Sequence, residues 1–425
     1  MNTILSRGLL AAAAVAALAG TAVVNAAWAE DVTLTIESWR NDDLKIWQDK
    51  IIPAFEKSHP GIKLTFAPSA PTEYNAALNA KMEGGVAGDI VACRAFDASL
   101  ALFQKGHLVA VNDVKGIENF TDAAKTAWST DDGKSTFCVP VGSVITGFIY
   151  NKKIFDELGL TPPKTQAEFF ALLDKVKAGG EYAPLDLGTA DQWEAATMGF
   201  QNIGPNHWKG DPGRLGLIAG TAKFTDAPYV AAWAELAKWA PYLPDGYQAQ
   251  SYPDSQNLFT LGRAAIYPAG SWEIPLFEAQ AEFPMGAFPP PVEKEGDGCF
   301  ISNHTDIGFG MNAKTKHPEA AKAFLEWVAS AEFASLYTNA LPGFFTLSTH
   351  KVELKDPLAS EFQSWKDRCG GNIRLAHQIL SRGKPNVDQA IWNVSAQVLN
   401  GTLTAEQAGA KVQEALDAWY KPPGK

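Results

Sequence analysis

Residues 32–66 read VTLTIESWRNDDLKIWQDKIIPAFEKSHPGIKLTF. Val32, Leu34 and Ile36 alternate with Thr33, Thr35 and Glu37, the period-two pattern of a strand. Leu44, Trp47, Ile51 and Phe55 then recur at helical spacing, and His59-Pro60-Gly61 stops that helix. Ile62, Leu64 and Phe66 alternate again. The pattern continues with a helical stretch over 74–82, Gly84-Gly85, a strand over 89–92, a helix over 96–106 and a strand over 108–111. Strand and helix in turn predict a wound α/β sheet with largely parallel strands.

The middle of the chain repeats the theme with more helix. Residues 144–150 are apolar and extended, 165–178 helical, and 184–188 extended. A long helix carrying Trp233, Leu236 and Trp239 follows. Residues 283–291, rich in Phe and Pro, suit an extended crossover between lobes. Strand pattern returns over 307–311 and helix over 318–333, and 404–419 is amphipathic with Ala408, Val412, Leu416 and Trp419 on one face. No linker or tandem repeat separates the halves. Two lobes whose strands cross between them more than once would have this layout, with a ligand beyond the carboxyl ends of the strands.

The N-terminus has the regions of a secretory signal peptide: a basic start over 1–7, an apolar run over 8–24, then Ala27-Trp28-Ala29 with small residues at the two positions a peptidase reads. The run is short for a bilayer span and lacks a basic stop-transfer flank. Cleavage after residue 29 leaves 396 of the 425 residues, enough for two domains. The leader holds one of 36 basic residues and none of the 47 acidic ones, so 35 basic residues face 47 acidic ones, a net charge of −12. That charge argues against nucleic acid and against a polybasic membrane patch. A bacterial periplasm is the expected location. There the four cysteines, Cys93, Cys138, Cys299 and Cys369, can form disulfides in any of three pairings. Cys93–Cys138 with Cys299–Cys369 keeps each bridge within one half and is the preferred set.

Catalytic and cofactor motifs are absent. The seven histidines (59, 107, 207, 304, 317, 350 and 377) form no close pair, and there is no phosphate loop, no GxGxxG and no GxSxG around Ser271. Neither a metal nor a cofactor is expected. Tryptophan placement is more informative. Trp47, Trp233, Trp239 and Trp327 sit at helical spacing and read as core, whereas Trp39, Trp193 and Trp272 each follow a strand-like run, where a loop begins. Trp272 stands in Ile266-Tyr-Pro-Ala-Gly-Ser-Trp-Glu-Ile-Pro275, Trp39 beside Arg40, and Trp193 beside Asp191. An indole covers the apolar C–H face of a sugar ring while charged and amide groups take its hydroxyls.

Several segments resemble the family 1 extracellular solute-binding proteins of ABC importers, of which maltose-binding protein is a familiar member. They are Pro140-Val-Gly-Ser-Val-Ile-Thr-Gly-Phe-Ile-Tyr-Asn-Lys-Lys-Ile-Phe155, Glu157-Leu-Gly-Leu-Thr-Pro-Pro-Lys-Thr165, Leu261-Gly-Arg-Ala-Ala-Ile266 with Gly270-Ser-Trp272, Ile307-Gly-Phe-Gly-Met311, and Lys316-His-Pro-Glu-Ala-Ala-Lys-Ala-Phe-Leu325. The resemblance implies a type II periplasmic binding protein fold, α/β, with two lobes joined by several crossing hinge segments. It places residues 30–142 and 290–342 in the N-terminal lobe and 143–289 and 343–425 in the C-terminal lobe. It implies Trp272, Trp193 and Trp392 as stacking residues, and Arg94, Phe96 and Asp97 as a binding loop. Trp39, Arg40, Ser143, Asp191, Gly270, Ser271 and Glu273 complete the expected ligand-binding set. Cys93 and Val144 stand where maltose-binding protein has a tryptophan and a hinge carboxylate, which argues against a maltodextrin cargo. The expected function is capture of a sugar, of disaccharide size or longer, by a periplasmic monomer that delivers it to an ABC permease without inserting into the membrane. Two alternatives remain. A glycerol phosphodiester would use Arg40, Arg94, Arg374 and Arg382, and a secreted glycoside hydrolase would use two of the many carboxylates.

Overall fold

The computed structural model describes residues 31–422, so the leader expected at 1–29 lies outside the described residues. Ten strands are joined in one sheet: β1 (Val32–Ser38), β2 (Ile62–Pro68), β3 (Ile90–Arg94), β4 (Val139–Asn151), β5 (Ala183–Leu185), β6 (Ala264–Gly270), β7 (Met285–Phe288), β8 (Phe300–Met311), β9 (Phe345–Thr346) and β10 (Gly370–Asn372). Their order is β2-β1-β3-β8-β4-β6-β5, with β7 and β9 on β4 and β10 on β8.

The opening stretch folds as its pattern predicts. β1 pairs in parallel with β2, Val32 opposite Ile62, and with β3, because helical segments carry the chain back after each strand. Residues 44–58 are helical throughout, with a wider turn at Trp47–Ile51. Trp47 stacks on Phe66 at 4.4 Å, so the helix and β2 share one core.

At its centre the sheet departs from the expectation of largely parallel strands. β8 runs antiparallel to β3 and to β4, and β4 antiparallel to β6 and β7. The physical reason is that β4 and β8 are crossing strands: one carries the chain out of the first half and the other returns it. β4 pairs with β8 from Val139 to Ile145 and with β6 from Thr146 to Tyr150, so its two ends belong to different sets of strands. Register shifts flank Gly142, where the ladder bends.

Three local readings also change. Leu108 makes a single bridge to Asn312 in place of a strand. The helix expected over 318–333 is two helices, Pro318–Val328 and Ala331–Ala340, because the Ser330 hydroxyl accepts from the Phe333 amide and starts a new one. In the proline-rich crossover only Met285–Phe288 is a strand, since Pro289 to Pro291 have no N–H to extend the ladder. Trp233, stacked on Phe200 at 4.1 Å, is core as expected, as are Trp239 and Trp327.

Both disulfides of the preferred set are present, Cys93–Cys138 tying β3 to the segment entering β4 and Cys299–Cys369 tying the start of β8 to β10. The first passes over Gly310 of β8, where a Cβ would lie 2.8 Å from Cys138 Sγ and 2.9 Å from Cys93 Sγ. No larger residue fits there. Replacing Cys93 and Cys138 together by alanine is expected to lower the unfolding free energy by about 2–4 kcal/mol. A guanidinium unfolding midpoint unchanged at constant slope would contradict this.

Candidate functional site

The carboxyl ends of three strands converge on one place. β1 hands on Trp39 and Arg40, β3 ends in Arg94, and β6 ends at Gly270, two residues before Trp272. Together with the loop that follows β5 they enclose a narrow cavity, part of it open to solvent. Trp39, Trp193, Tyr252, Trp272 and Trp392 line it with aromatic surface, and Arg40, Arg94, Arg374, Asp306, Thr72 and Thr197 with polar groups; Pro71 completes the wall.

Trp272 is placed by its neighbours. Its ring lies flat on Gly270, whose Cβ, were there one, would be 2.0 Å from the indole Cζ3. Its N–H donates to Glu273 Oε1 at 3.0 Å and to the Tyr252 hydroxyl oxygen at 3.2 Å. Tyr252 in turn donates to Glu273 at 2.6 Å and meets Trp193 edge to face at 4.7 Å. Glu273 is fully buried behind the indole and also accepts from Gln256. Burial pushes its pKa up to about 7, against the pull of those hydrogen bonds. Burial likewise lifts Glu194, which accepts from Ser255, well above the carboxylate range, and Asp186, which accepts from Gln250, to about 8. A set of protonatable acids thus braces the aromatic wall.

On the facing wall Arg40 is buried and held in two hydrogen bonds by Asp43, at 2.7 and 2.8 Å, while its NH2 group reaches the Trp272 carbonyl at 3.5 Å. The Arg94 guanidinium covers the Trp39 ring at 4.4 Å and donates to Asn75 and to the Pro71 carbonyl. Its pKa is lowered by burial to about 10, so it stays cationic at neutral pH. Trp39 therefore meets the cavity with one face already taken by an arginine. Four buried side-chain atoms of the lining residues, Arg374 Nε, Thr197 Oγ1, Trp193 Nε1 and Trp392 Nε1, have no hydrogen-bond partner among the described residues. Buried polar groups are nearly always paired, so the unmatched side chains of this lining make the cavity a candidate site for polar groups of a ligand. Asp306 lies 3.8 Å from His304 Nε2, too far for a hydrogen bond. The His304 ring is held neutral by burial and by the charge of Arg374, so no ion pair ties up that carboxylate.

Of the residues expected from the sequence, Trp39, Arg40, Arg94, Trp193, Trp272 and Trp392 line the cavity. The other seven do not. Glu273 and Gly270 support Trp272 from behind. Ser271 donates to the Gly343 carbonyl and accepts from the Ile145 amide, joining the site to the crossing strand. Ser143 donates to Phe345 within that crossing, and Asp191 accepts from the Tyr252 amide at the start of the helix Tyr252–Thr260. Asp97 is engaged by Arg382 and Phe96 packs at 5.3 Å from His377. Tyr252, Thr197, Asp306, Pro71 and Thr72 line the cavity without having been singled out from the sequence, and Arg374, which also lines it, was expected there only for the phosphodiester alternative. Tyr252 carried a faint signal, an aromatic at the first position of a helix; Arg374 sits in irregular chain and offered only its charge. Among the described residues no three His, Cys, Asp or Glu side chains gather as a metal site would require.

A larger concavity, of about 2210 Å3, follows β7 and Pro289 to Pro291 on to the Cys299–Cys369 bridge. None of the expected site residues line it, and its wall is rich in proline where that of the smaller cavity is rich in tryptophan.

Residues 38–334 match the model of the bacterial extracellular solute-binding protein family, and the chain belongs to that family. It is 24% identical over 311 residues to the multiple sugar-binding protein of Streptococcus mutans, covering 68% of this chain and 69% of that one. It is 26% identical over 442 residues, 98% of this chain and all of the other, to a probable sugar-binding periplasmic protein of Brucella suis. In structure it is similar to a chitin oligosaccharide binding protein, at a TM-score of 0.77 and 21% identity over 91% of this chain and 98% of that one. This likeness is one of fold. The fold is that of the two-lobed α/β binding proteins. Among the described residues no helix is long and apolar enough to cross a membrane.

The raised pKa of Glu273 has a measurable consequence. Its usual value is 4.5 and it is about 7 here, so the folded state favours the proton; that stabilisation is full below about 4.5 and is lost as pH rises through 7. In Glu273→Gln the dependence disappears. The Tm difference between variant and parent should therefore move in the variant's favour from pH 5 to pH 8; a difference constant across that range would contradict the assignment.

Proposed function

We propose that this chain is a periplasmic solute-binding protein that captures a sugar between two lobes, 30–142 with 290–342 and 143–289 with 343–425, and presents it to the permease of an ABC importer. The observation that carries the reading is the meeting of Trp193, Trp272 and Trp392 in one cavity whose lining side chains hold four unmatched polar atoms, on Arg374, Thr197, Trp193 and Trp392. Indoles cover sugar C–H faces, and a guanidinium and a hydroxyl give directional bonds to sugar hydroxyls. The relatives named for sugar binding support the same cargo class.

The charge pattern supports a neutral ligand over a phosphodiester. Arg40 is neutralised by Asp43, Arg382 is bound by Asp97 and Asp131, and the remaining Arg94 and Arg374 share the cavity with Asp306. Binding is also favoured over hydrolysis, since Asp306 is the one carboxylate in the described lining and glycoside hydrolysis ordinarily uses two. Closure around the sugar would bend β4 and β8, and a closed state preferred only with ligand is what a permease can sense.

A thermal-shift screen of the mature protein against glucose, galactose, maltose, cellobiose, xylobiose, lactose, raffinose and glycerophosphocholine tests the proposal. At a hundred times Kd a ligand adds about 2.7 kcal/mol of stability, visible as a raised Tm. A shift with a neutral sugar that persists in high salt is expected; a shift with glycerophosphocholine alone, abolished by salt, would overturn it. Arg374→Ala should weaken binding of the sugar that gives the shift about 10- to 150-fold, the worth of a hydrogen bond to a charged group.

A further inference from the structure

Glu273 is not part of the cavity lining, yet two side chains bonded to it are. Its Oε1 accepts from the Tyr252 hydroxyl at 2.6 Å and from the Trp272 N–H at 3.0 Å, and both of those residues line the cavity. The Tyr252 oxygen also accepts from the Trp272 N–H at 3.2 Å, so carboxyl, phenol and indole close a triangle. Oε2 accepts from the Gln256 amide at 2.9 Å. Trp193, a third lining residue, rests on the triangle through its contact with Tyr252 at 4.7 Å. One buried carboxyl group thus orients two aromatic rings of the wall and supports another.

The groups around Glu273 give an ionised carboxylate little support. From the β1 wall Arg40 and Asp42 face it, and Arg40 is already paired with Asp43. From the helical turn that begins at Trp193 comes Glu194, fully buried, whose Oε2 has no partner among the described residues. β6 contributes Tyr267, and the helix Tyr252–Thr260 contributes Tyr252 and Gln256; none of these is cationic. β4, packed on the same turn, carries no ionisable residue before Tyr150. Burial has already lifted the Glu273 pKa to about 7. Trp272 and Tyr252 keep 7% and 5% of their surface exposed, and a sugar stacked on the wall would take the remaining water from them. Removing water near a buried acid makes its charged form costlier still.

We propose that Glu273 is the positioning residue of the stacking wall and that sugar binding loads it with a proton, so that the protein holds its sugar more tightly in acid than in alkaline surroundings. This rests on the sugar-binding reading and adds to it a regulation of the same site. The proton comes from solvent and goes to Oε2. The Gln256 amide turns its oxygen to accept it, and the bonds from Tyr252 and Trp272 to Oε1 are kept. Because the coupling is reciprocal, a ligand that raises the pKa of Glu273 binds better to the protonated protein. Affinity is then constant well below pH 7, falls as pH rises through 7, and levels off above the pKa of the liganded state.

The test is isothermal titration calorimetry of the mature protein with the neutral sugar that raises the Tm most, from pH 5 to pH 9, and at pH 7 in two buffers of different ionisation enthalpy. Kd should rise about 5-fold or more across the range, and the two buffers should differ in heat by the uptake of protons. Glu273→Gln should flatten the profile and abolish that uptake. Asp42→Asn, outside the lining, removes a negative charge that favours the proton on Glu273 and should move the fall in affinity to lower pH; it serves as the second variant should Glu273→Gln fold poorly. Affinity independent of pH, affinity that tightens as pH rises, or a profile that Glu273→Gln or Asp42→Asn leaves unchanged would overturn the proton coupling while leaving sugar binding intact. Absence of binding with every sugar would overturn the sugar-binding reading and the coupling with it.

Discussion

Strand β4 changes partners between Ile145 and Thr146, and the rest of the molecule is arranged around that change. Before it, β4 lies against β8; after it, against β6 and β7. One continuous strand thereby serves two sets of neighbours, and with β8 it carries the chain between them. The aromatic cavity is coupled to this point by a single side chain. Ser271, directly after β6, accepts from the Ile145 amide and donates to the Gly343 carbonyl, so Trp272 is one residue from a hydrogen bond to the crossing itself. Gly343 has a positive φ and approaches so closely that a Cβ would stand 1.9 Å from the Ser271 carbonyl oxygen, a place where only glycine fits. A change of angle at the crossing would carry the indole with it.

The walls of the cavity are stiffened by different means. On the β6 side, buried acids bind the hydroxyls and amides of Tyr252, Ser255, Gln256 and Gln250, and their burial raises their pKa values. On the β1 side the ion pair of Arg40 with Asp43 and the stacking of Arg94 on Trp39 do the same work with charge. A pocket held rigid in this way loses little entropy when a ligand enters, which favours affinity from few contacts.

Much of the fold was legible because it follows period. The alternation at Val32, Leu34 and Ile36 and the helical spacing at Leu44, Trp47, Ile51 and Phe55 are local signals, and the structure follows them. Strand direction at the centre was not legible, since the antiparallel pairing of β4 with β8 joins segments far apart in sequence and leaves no mark on either. The site divides the same way. Trp39, Trp193 and Trp272 could be found because each follows a strand end, where loops meet ligands. Glu273 and Asp97 looked like ligand groups from their positions in the chain, but their side chains are spent on Tyr252 and Gln256 and on Arg382. Arg374 is a different case: the sequence offered it only as a charge, and the three-dimensional arrangement puts it in the cavity lining with its Nε buried and without a partner.

The most direct measurement is a crystal structure of the mature protein grown with the neutral sugar that stabilises it most. Density for a sugar ring packed on Trp193 or Trp272, with a hydroxyl within hydrogen-bond distance of Arg374 Nε, is the predicted result. A sugar lodged instead in the proline-walled concavity along β7, with the aromatic cavity holding only solvent, would contradict it.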